Sequence, residues 1–280
     1  MNEQGNLMSE GEEYVERIRA AVASATPEEY SAAMGALIHS DAVARGDGSG
    51  VLGGAHRGWD SMSGCFGELS GRSDDGLAMV PQEIVAAGPM VVVIQTATAR
   101  RGERKLVAPI AVVWRFSGDK AVELWDHFGD VETWDRFWET DEPLAVRPPA
   151  LEGGPTAADI VRLVNEVSER GDMQTNRFVA DDVVFHAAGT DGWAVELHGK
   201  GEVLSLYGEL HQRSGGTLRV EPVTVAATED FAIVAVRMRA EREGRELDQV
   251  ICGVWRLDDG VAVELWDHYA DPAAWEAFWA

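Results

Sequence analysis

The chain has 280 residues, with 48 acidic against 24 basic side chains and a formal net charge of −24. That charge repels nucleic acid and anionic membrane surfaces, so neither is expected as a partner. Hydrophobic residues make up 45%, enough for packed cores, and no apolar run approaches the roughly 20 residues of a membrane span.

In chain order, residues 1–11 are polar and acidic and read as a flexible tail with neither a basic n-region nor an apolar h-region. A cytoplasmic protein is expected on that ground. "EEYVERIRAAV" has helical pattern, and a second helix leads into the strand "ALIHSDAVARGDG". A short strand, a loop and a third helix ("GWDSMSGCFGEL") follow. Three strand-like runs come next, then "VELWDHFGDVETWDRFW" from Val122 to Trp138. The Pro- and Gly-rich stretch between Asp141 and Asp159 reads as a linker, set at 142–155. The order then repeats. A helix ("AADIVRLVNEV") and a second helix lead into "RFVADDVVFHAAG", and "GKGEVLSLYGEL" supplies the third. The strands "TLRVEPVTVAAT", "FAIVAVRMRAE" and "LDQVICGVWRL" follow, and the turn "LDDG" launches "VAVELWDHYA".

The two halves are one sequence written twice. Val122 matches Val263 at an offset of 141, and that offset carries Asp41 to Asp182, Gly58 to Gly199, Arg104 to Arg245 and Trp114 to Trp255. Between Ala121 and Trp138, 11 of 18 positions equal their partners. A period this long means duplicated domains rather than a solenoid of short units. The expected domains are 12–141 and 156–280. Helices followed by a curved antiparallel sheet make each an α+β layer structure.

Strand alternation sorts the repeated motif. Val122, Leu124, Asp126 and Phe128 share one face, and Glu123, Trp125 and His127 the other. The second copy splits the same way, with Leu265, Asp267 and Tyr269 against Trp266 and His268. Asp130 and Asp271 read as helix N-caps, with Pro272 in the first turn. Trp134, Phe137 and Trp138 then fall on one helical face, as do Trp275, Phe278 and Trp279, and read as packing.

The element order, "RFVADDVVFHAAG", "GGTLRVEP" and above all the closing "DG-VAVELWDH" strand with "DPAAWEAFW" resemble the SnoaL-like branch of the nuclear transport factor 2 superfamily. Ketosteroid isomerase and limonene epoxide hydrolase also belong to that superfamily. The resemblance covers nearly all of both halves. It implies two NTF2-like cones, each a curved antiparallel sheet around a pocket closed by N-terminal helices. It also implies pairing through the outer sheet faces, here as an intrachain pseudo-dimer with Trp125 and Trp266 at the junction. The chain itself is then expected as a monomer or a homodimer.

The same resemblance places Asp126 and Asp267 at a pocket-facing position that holds a catalytic carboxylate in relatives. A carboxylate among apolar neighbours loses hydration and rises in pKa toward a useful base. The opposing reading is an Asp that pins a loop, and duplication copies packing as faithfully as chemistry. Leu124, Phe128, Trp114 and Arg45 in the first half, and Leu265, Tyr269, Trp193 and Trp255 in the second, are the expected pocket residues. His186, at a strand end, is a candidate proton carrier beside Asp267, or a hydrogen-bonded rim histidine. Its partner is Arg45 and that of Trp193 is Leu52, so the pockets differ and the second is the expected active one.

Gly46, Ala187, Val112 and Gly253 stand where ketosteroid isomerase has its functional groups, so that mechanism is not expected. "GSGVLG" lacks a βαβ context and reads as a pocket-rim loop rather than a dinucleotide site. Cys65 and Cys252 read as buried thiols, with neither a disulfide nor a metal expected. The expected function is a cofactor-free enzyme acting on a small hydrophobic metabolite by cyclisation, isomerisation or epoxide opening. A non-catalytic small-molecule-binding or assembly protein is the alternative.

Overall fold

Apolar alternation and turn residues resolve, among the described residues, into twelve strands and seven helices. The structure is a computed structural model that describes residues 3–24, 26–144, 156–170, 178–189 and 192–280. It divides into two units, Met1–Pro148 and Pro149–Ala280. Residues 145–155, most of the expected linker, lie outside the described residues, as does the second helix expected just before residue 178.

The first unit runs α1 (Glu3–Val22), α2 (Pro27–Leu37), β1 (Ile38–Gly46), β2 (Gly54–Arg57), α3 (Gly58–Arg72), β3 (Ala78–Ala87), β4 (Met90–Arg101), β5 (Arg104–Ser117), β6 (Lys120–Phe128) and α4 (Val131–Glu139). The second runs α5 (Ala157–Arg170), β7 (Val179–Gly189), β8 (Gly192–His198), α6 (Lys200–Arg213), β9 (Arg219–Ala227), β10 (Phe231–Arg242), β11 (Arg245–Asp258), β12 (Val261–Tyr269) and α7 (Pro272–Trp279). The sheets have the same order, β2-β1-β6-β5-β4-β3 and β8-β7-β12-β11-β10-β9. Both are mixed rather than antiparallel, because β6 and β12 each pair in parallel with the first strand of their unit. That pairing brings the repeated Asp strand to the middle of the sheet, where both of its edges are satisfied.

The hairpins are tight. Asp259 and Gly260 both have positive φ, at 46° and 75°, as a two-residue turn between Asp258 and Val261 requires. A bulge at the start of each Asp strand corrects the expected alternation. Val122 is skipped, so Ala121 rather than Val122 joins Leu124 and Phe128 in the inner core, and Ala262 does the same in the second unit.

Asp130 accepts from the Thr133 N–H and Asp271 from the Ala274 N–H, each at 2.9 Å, capping α4 and α7. Paired arginines serve the other ends of these helices. Arg101 donates to the Trp138 carbonyl at 3.0 Å and Arg242 to the Trp279 carbonyl at 2.9 Å. Arg104 and Arg245 reach the Arg136 and Ala277 carbonyls. These cations complete otherwise orphaned carbonyls at the negative helix end.

One element differs from its reading. Residues 3–11 are not a loose tail but continue α1. Tyr14, Val15, Ile18 and Ala21 anchor the rest of that helix in the core. At Gly11 an added Cβ would come within 2.8 Å of the Ala86 Cβ, so the helix passes close against β3 there. Once anchored, the helix extends at little cost through the Glu, Gln and Leu residues before it.

Candidate functional site

The site grows from the register of the Asp strand. Asp126 lies opposite Val112 and Leu124 opposite Trp114 on β5, while Ala44 of β1 flanks Leu124 on the other side. These side chains share the inner face, and the first helices cover them. Between them is a cavity of about 60 Å³ whose wall includes Asp126, Leu124, Trp114, Tyr30, His56, Trp59, Gln95 and Leu52, with Ile, Val, Met and Phe residues making up most of the remainder. Leu52 comes from the glycine-rich loop, which Asp135 of α4 pins by accepting from the Ser49 N–H and Oγ–H at 2.9 and 2.8 Å.

The Asp126 carboxyl keeps part of its surface open to the cavity but is otherwise enclosed by protein. Burial pushes it up to about 7, with the His127 charge opposing and the Asp47 charge adding. Tyr30 is pushed up to about 12, first by burial and then by the Asp126 charge, so its hydroxyl stays protonated. The indole of Trp59 donates to Ser31 Oγ at 3.3 Å and sits edge-on to Tyr30. His56 Nδ1 lies 3.3 Å from the Cys65 thiol.

In the second unit the same strand position is arranged differently. Asp267 lies opposite Gly253 on β11. A Cβ at Gly253 would sit 3.3 Å from Asp267 Oδ1 and 3.1 Å from Trp255 Nε1, so carboxyl and indole converge over bare backbone. The Tyr207 hydroxyl of α6 donates to Asp267 Oδ2 at 3.4 Å. Burial raises Asp267 to about 7, and the Tyr207 hydrogen bond works against it. Burial and the Asp267 charge together push Tyr207, Tyr269 and Cys252 upward. Phe185, which replaces Ala44, stands edge-on to Tyr207 with ring centroids 6.5 Å apart. Phe185 and the Tyr207 hydroxyl thus stand in the second unit where Ala44 and Phe66 stand in the first.

The other expected site residues are sorted by strand parity. Leu124 and Trp114 stand on the cavity wall with Asp126. Phe128 is on the same side but packs on Trp134, with ring centroids 4.6 Å apart. Leu265 and Tyr269 belong to the second core, with Tyr269 stacked on Trp275 and Trp255 packed against that core. The Trp193 side chain lies outside the described residues.

Two expectations are corrected. His186 is not beside Asp267: it pairs with Trp266 and stacks on it, and its Nε2 lies 2.9 Å from Glu264 Oε1. Arg45 likewise pairs with Trp125 and lies over its ring at 4.7 Å. Both residues are in register with the motif's Trp, so pleating sends them to the opposite face from the Asp. The residues that do face Asp126, namely Tyr30, His56 and Gln95, were missed. Helix α2 and strands β2 and β4 carry them, and none has a repeat signal: Tyr30 precedes the stretch over which the offset holds, His56 matches Leu197, and Gln95 matches Val236.

With the geometry in place, the class is a duplicated α+β fold carrying one half-buried, inward-facing Asp per unit. Residues 160–265 match the SnoaL-like domain. An uncharacterized protein of Mycobacterium tuberculosis (strain H37Rv) is 33% identical over 124 residues, covering 44% of this chain and 95% of that protein. The chain belongs to the SnoaL-like family. Among solved structures, Bal32a from a soil-derived mobile gene cassette is similar at TM-score 0.42 and 24% identity, over 46% of this chain and 99% of its own. An LEH-like epoxide hydrolase of M. tuberculosis is similar at TM-score 0.36 and 21% identity, over 46% and 89%.

Proposed function

We propose that the first unit carries a small-molecule site in which Asp126 is the general acid/base for a cofactor-free reaction on a neutral, largely apolar metabolite. The observation that carries this reading is a carboxyl, balanced near pH 7 by burial, on the wall of an otherwise mainly apolar cavity. A base poised there accepts a proton from an acidic C–H and returns it elsewhere without solvent competition. Isomerisation is that transfer and cyclisation begins with it, while in epoxide opening the same carboxyl would take the proton of the attacking water as the ring oxygen gains one. Among the described residues the wall carries no Arg or Lys, so an anionic ligand would meet the negative Asp126 without a lysine or arginine to offset it. The cavity of about 60 Å³ fits the reacting end of a small ligand.

The test is solvent-deuterium exchange into the methyl groups of acetone, followed by proton NMR. Asp126→Asn should slow protein-catalysed exchange by ~10²–10⁴-fold, the usual worth of a positioned base, while the variant still folds and unfolds cooperatively. Equal rates in wild type and variant would refute the role.

A second reading applies to the second unit. There Tyr207 already satisfies Asp267, and Phe185 fills the place of Ala44. These observations favour a scaffold or binding role over catalysis. Native mass spectrometry of the purified chain checks it: a small molecule released only by variants at Asp267 would refute a scaffold role.

A further inference from the structure

A net charge of −24 favours cationic partners but does not by itself place one. The cavity of the first unit does. Among the described residues Asp126 is the only acid on its wall, and no lysine or arginine stands there to balance it. In the second unit the Tyr207 hydroxyl donates to the matching Asp267 at 3.4 Å. The first unit has Phe66 at that position, on the cavity wall. The donor is gone and an aromatic ring remains.

Phe66 is one of four aromatic residues on this wall. Tyr30 comes from α2, Trp59 and Phe66 from α3, and Trp114 from β5. Tyr30 and Trp59 stand edge-on, with ring centroids 6.5 Å apart. Aromatic rings attract a cation held within about 6 Å of the centroid. A cavity of about 60 Å³ is only ~5 Å across if equant, so an occupant at its middle stands at about that reach from the groups lining it. At roughly 10–15 Å³ for each water-sized occupant, the same volume holds about four to six non-hydrogen atoms.

We propose that this cavity binds a small alkylated ammonium ion, with Asp126 as its counter-ion and Tyr30, Trp59, Phe66 and Trp114 as its aromatic surround. The proposal rests on the cavity being a ligand site, not on Asp126 acting as a base. The rest of the wall selects an alkylated cation over a metal ion. Ile18, Val93, Val112 and Leu124 can bury methyl groups. A hard metal cation takes about six oxygen ligands, and only Asp126, Tyr30 and Gln95 bring side-chain oxygens to this wall.

Neutral and cationic ligands suit the two protonation states of one carboxyl. Protonated, Asp126 is a neutral partner for a neutral ligand. Ionised, above about 7, it is a charge in a mainly apolar cavity, and a cation offsets the cost of leaving it unpaired. The titratable groups around it are Tyr30, His56, His127 and Asp47. Tyr30 stays a neutral phenol, His56 meets the Cys65 thiol at 3.3 Å, and His127 is paired with Asp47 at 2.9 Å.

The experiment uses the full chain at pH 8, with tetramethylammonium chloride as the probe, tert-butanol as a neutral molecule of similar size and potassium chloride as the salt control. Proton NMR follows the methyl signals. Tetramethylammonium should bind saturably, with its methyl protons moved upfield by the rings, and ~10-fold or more tightly than tert-butanol. Asp126→Asn, which keeps the shape and removes the charge, should weaken the cation ~10-fold or more and change tert-butanol by less than ~2-fold. Trp59→Leu should weaken the cation ~3–30-fold, the usual range for one such ring. Asp267→Asn should change neither. Urea unfolding checks that each variant is folded, and Asp126→Asn carries the test if Trp59→Leu is not.

Equal affinity for the two probes, or a cation affinity that survives Asp126→Asn, overturns the proposal. So does a loss in Asp267→Asn, which moves the site to the second unit. Acetone exchange tests the base reading separately. Tetramethylammonium binding without exchange keeps the cation site and sinks the base, and exchange without such binding sinks the cation site and keeps the base.

Discussion

Asp126→Asn should change how stability depends on pH, and the size of the effect follows from the burial of one carboxyl. In the folded chain Asp126 titrates at about 7, against an ordinary value of 3.8. Below pH 3.8 both the folded and the unfolded chain hold the proton, and the residue adds no pH dependence. Between 3.8 and 7 the unfolded chain has released it and the folded chain has not, so stability falls as pH rises. Above 7 both forms are ionised and the loss levels off. Three units at 1.36 kcal/mol each set a ceiling of about 4 kcal/mol, reduced to roughly 2–4 because one side of the carboxyl meets the cavity. Asn is neutral at every pH and isosteric with the protonated acid. Urea unfolding of both proteins from pH 4.5 to 8.5 should therefore show similar stability at the acid end and an advantage for Asn of that size at pH 8. Other carboxylates titrate alike in the two proteins and cancel in the difference. A wild-type-minus-variant difference that stays flat across the window would refute a folded pKa near 7, and with it the poised base.

Two further perturbations probe the contrast between the units. Tyr207→Phe removes the hydrogen bond that lowers Asp267, so the Asp267 carboxyl should titrate higher than about 7, read by 13C NMR of labelled Asp. Trp134→Ala removes a side chain 1% exposed that packs on Phe128 and Trp138; it should cost ~3–5 kcal/mol in urea unfolding, as large-to-small core changes do.

Much of the fold was legible because duplication printed it twice. The shared offset located the closing strand, the caps Asp130 and Asp271 and the aromatic helix behind each; period-2 alternation separated Asp126 and Asp267 from the Trp and His face, and the family resemblance chose their face as the inner one. Alternation failed at Val122, since a bulge adds a residue without any marker in composition. It also could not place His186 and Arg45. Their strand pairs in parallel with the Asp strand, and register across a parallel pair is set by the whole sheet rather than by local pattern. The cavity's other polar groups were illegible for a related reason. Tyr30, His56 and Gln95 come from three different elements and meet only through tertiary packing.

The comparison between units separates what the fold needs from what a site needs. Several features that the two copies share have a structural partner in both: capping Asp, arginines on helix carbonyls, Trp and Phe packed edge-on. The buried Asp is shared too, but its surroundings are not. Around Asp126 stand Ala44, His56, Gln95 and Phe66; at the matching positions around Asp267 stand Phe185, Leu197, Val236 and Tyr207. Each change moves the same way. In the second unit, space is filled by a ring, cavity polarity becomes aliphatic, and the carboxyl finds a partner within its own unit. In the first, the carboxyl lines a cavity, and Trp114 Nε1 and His56 Nε2, on residues of the same wall, are buried without a hydrogen-bond partner. The Asp thus has a hydrogen-bond partner of its own in the second unit, and we propose that in the first its hydrogen-bonding capacity serves a molecule the chain does not itself supply.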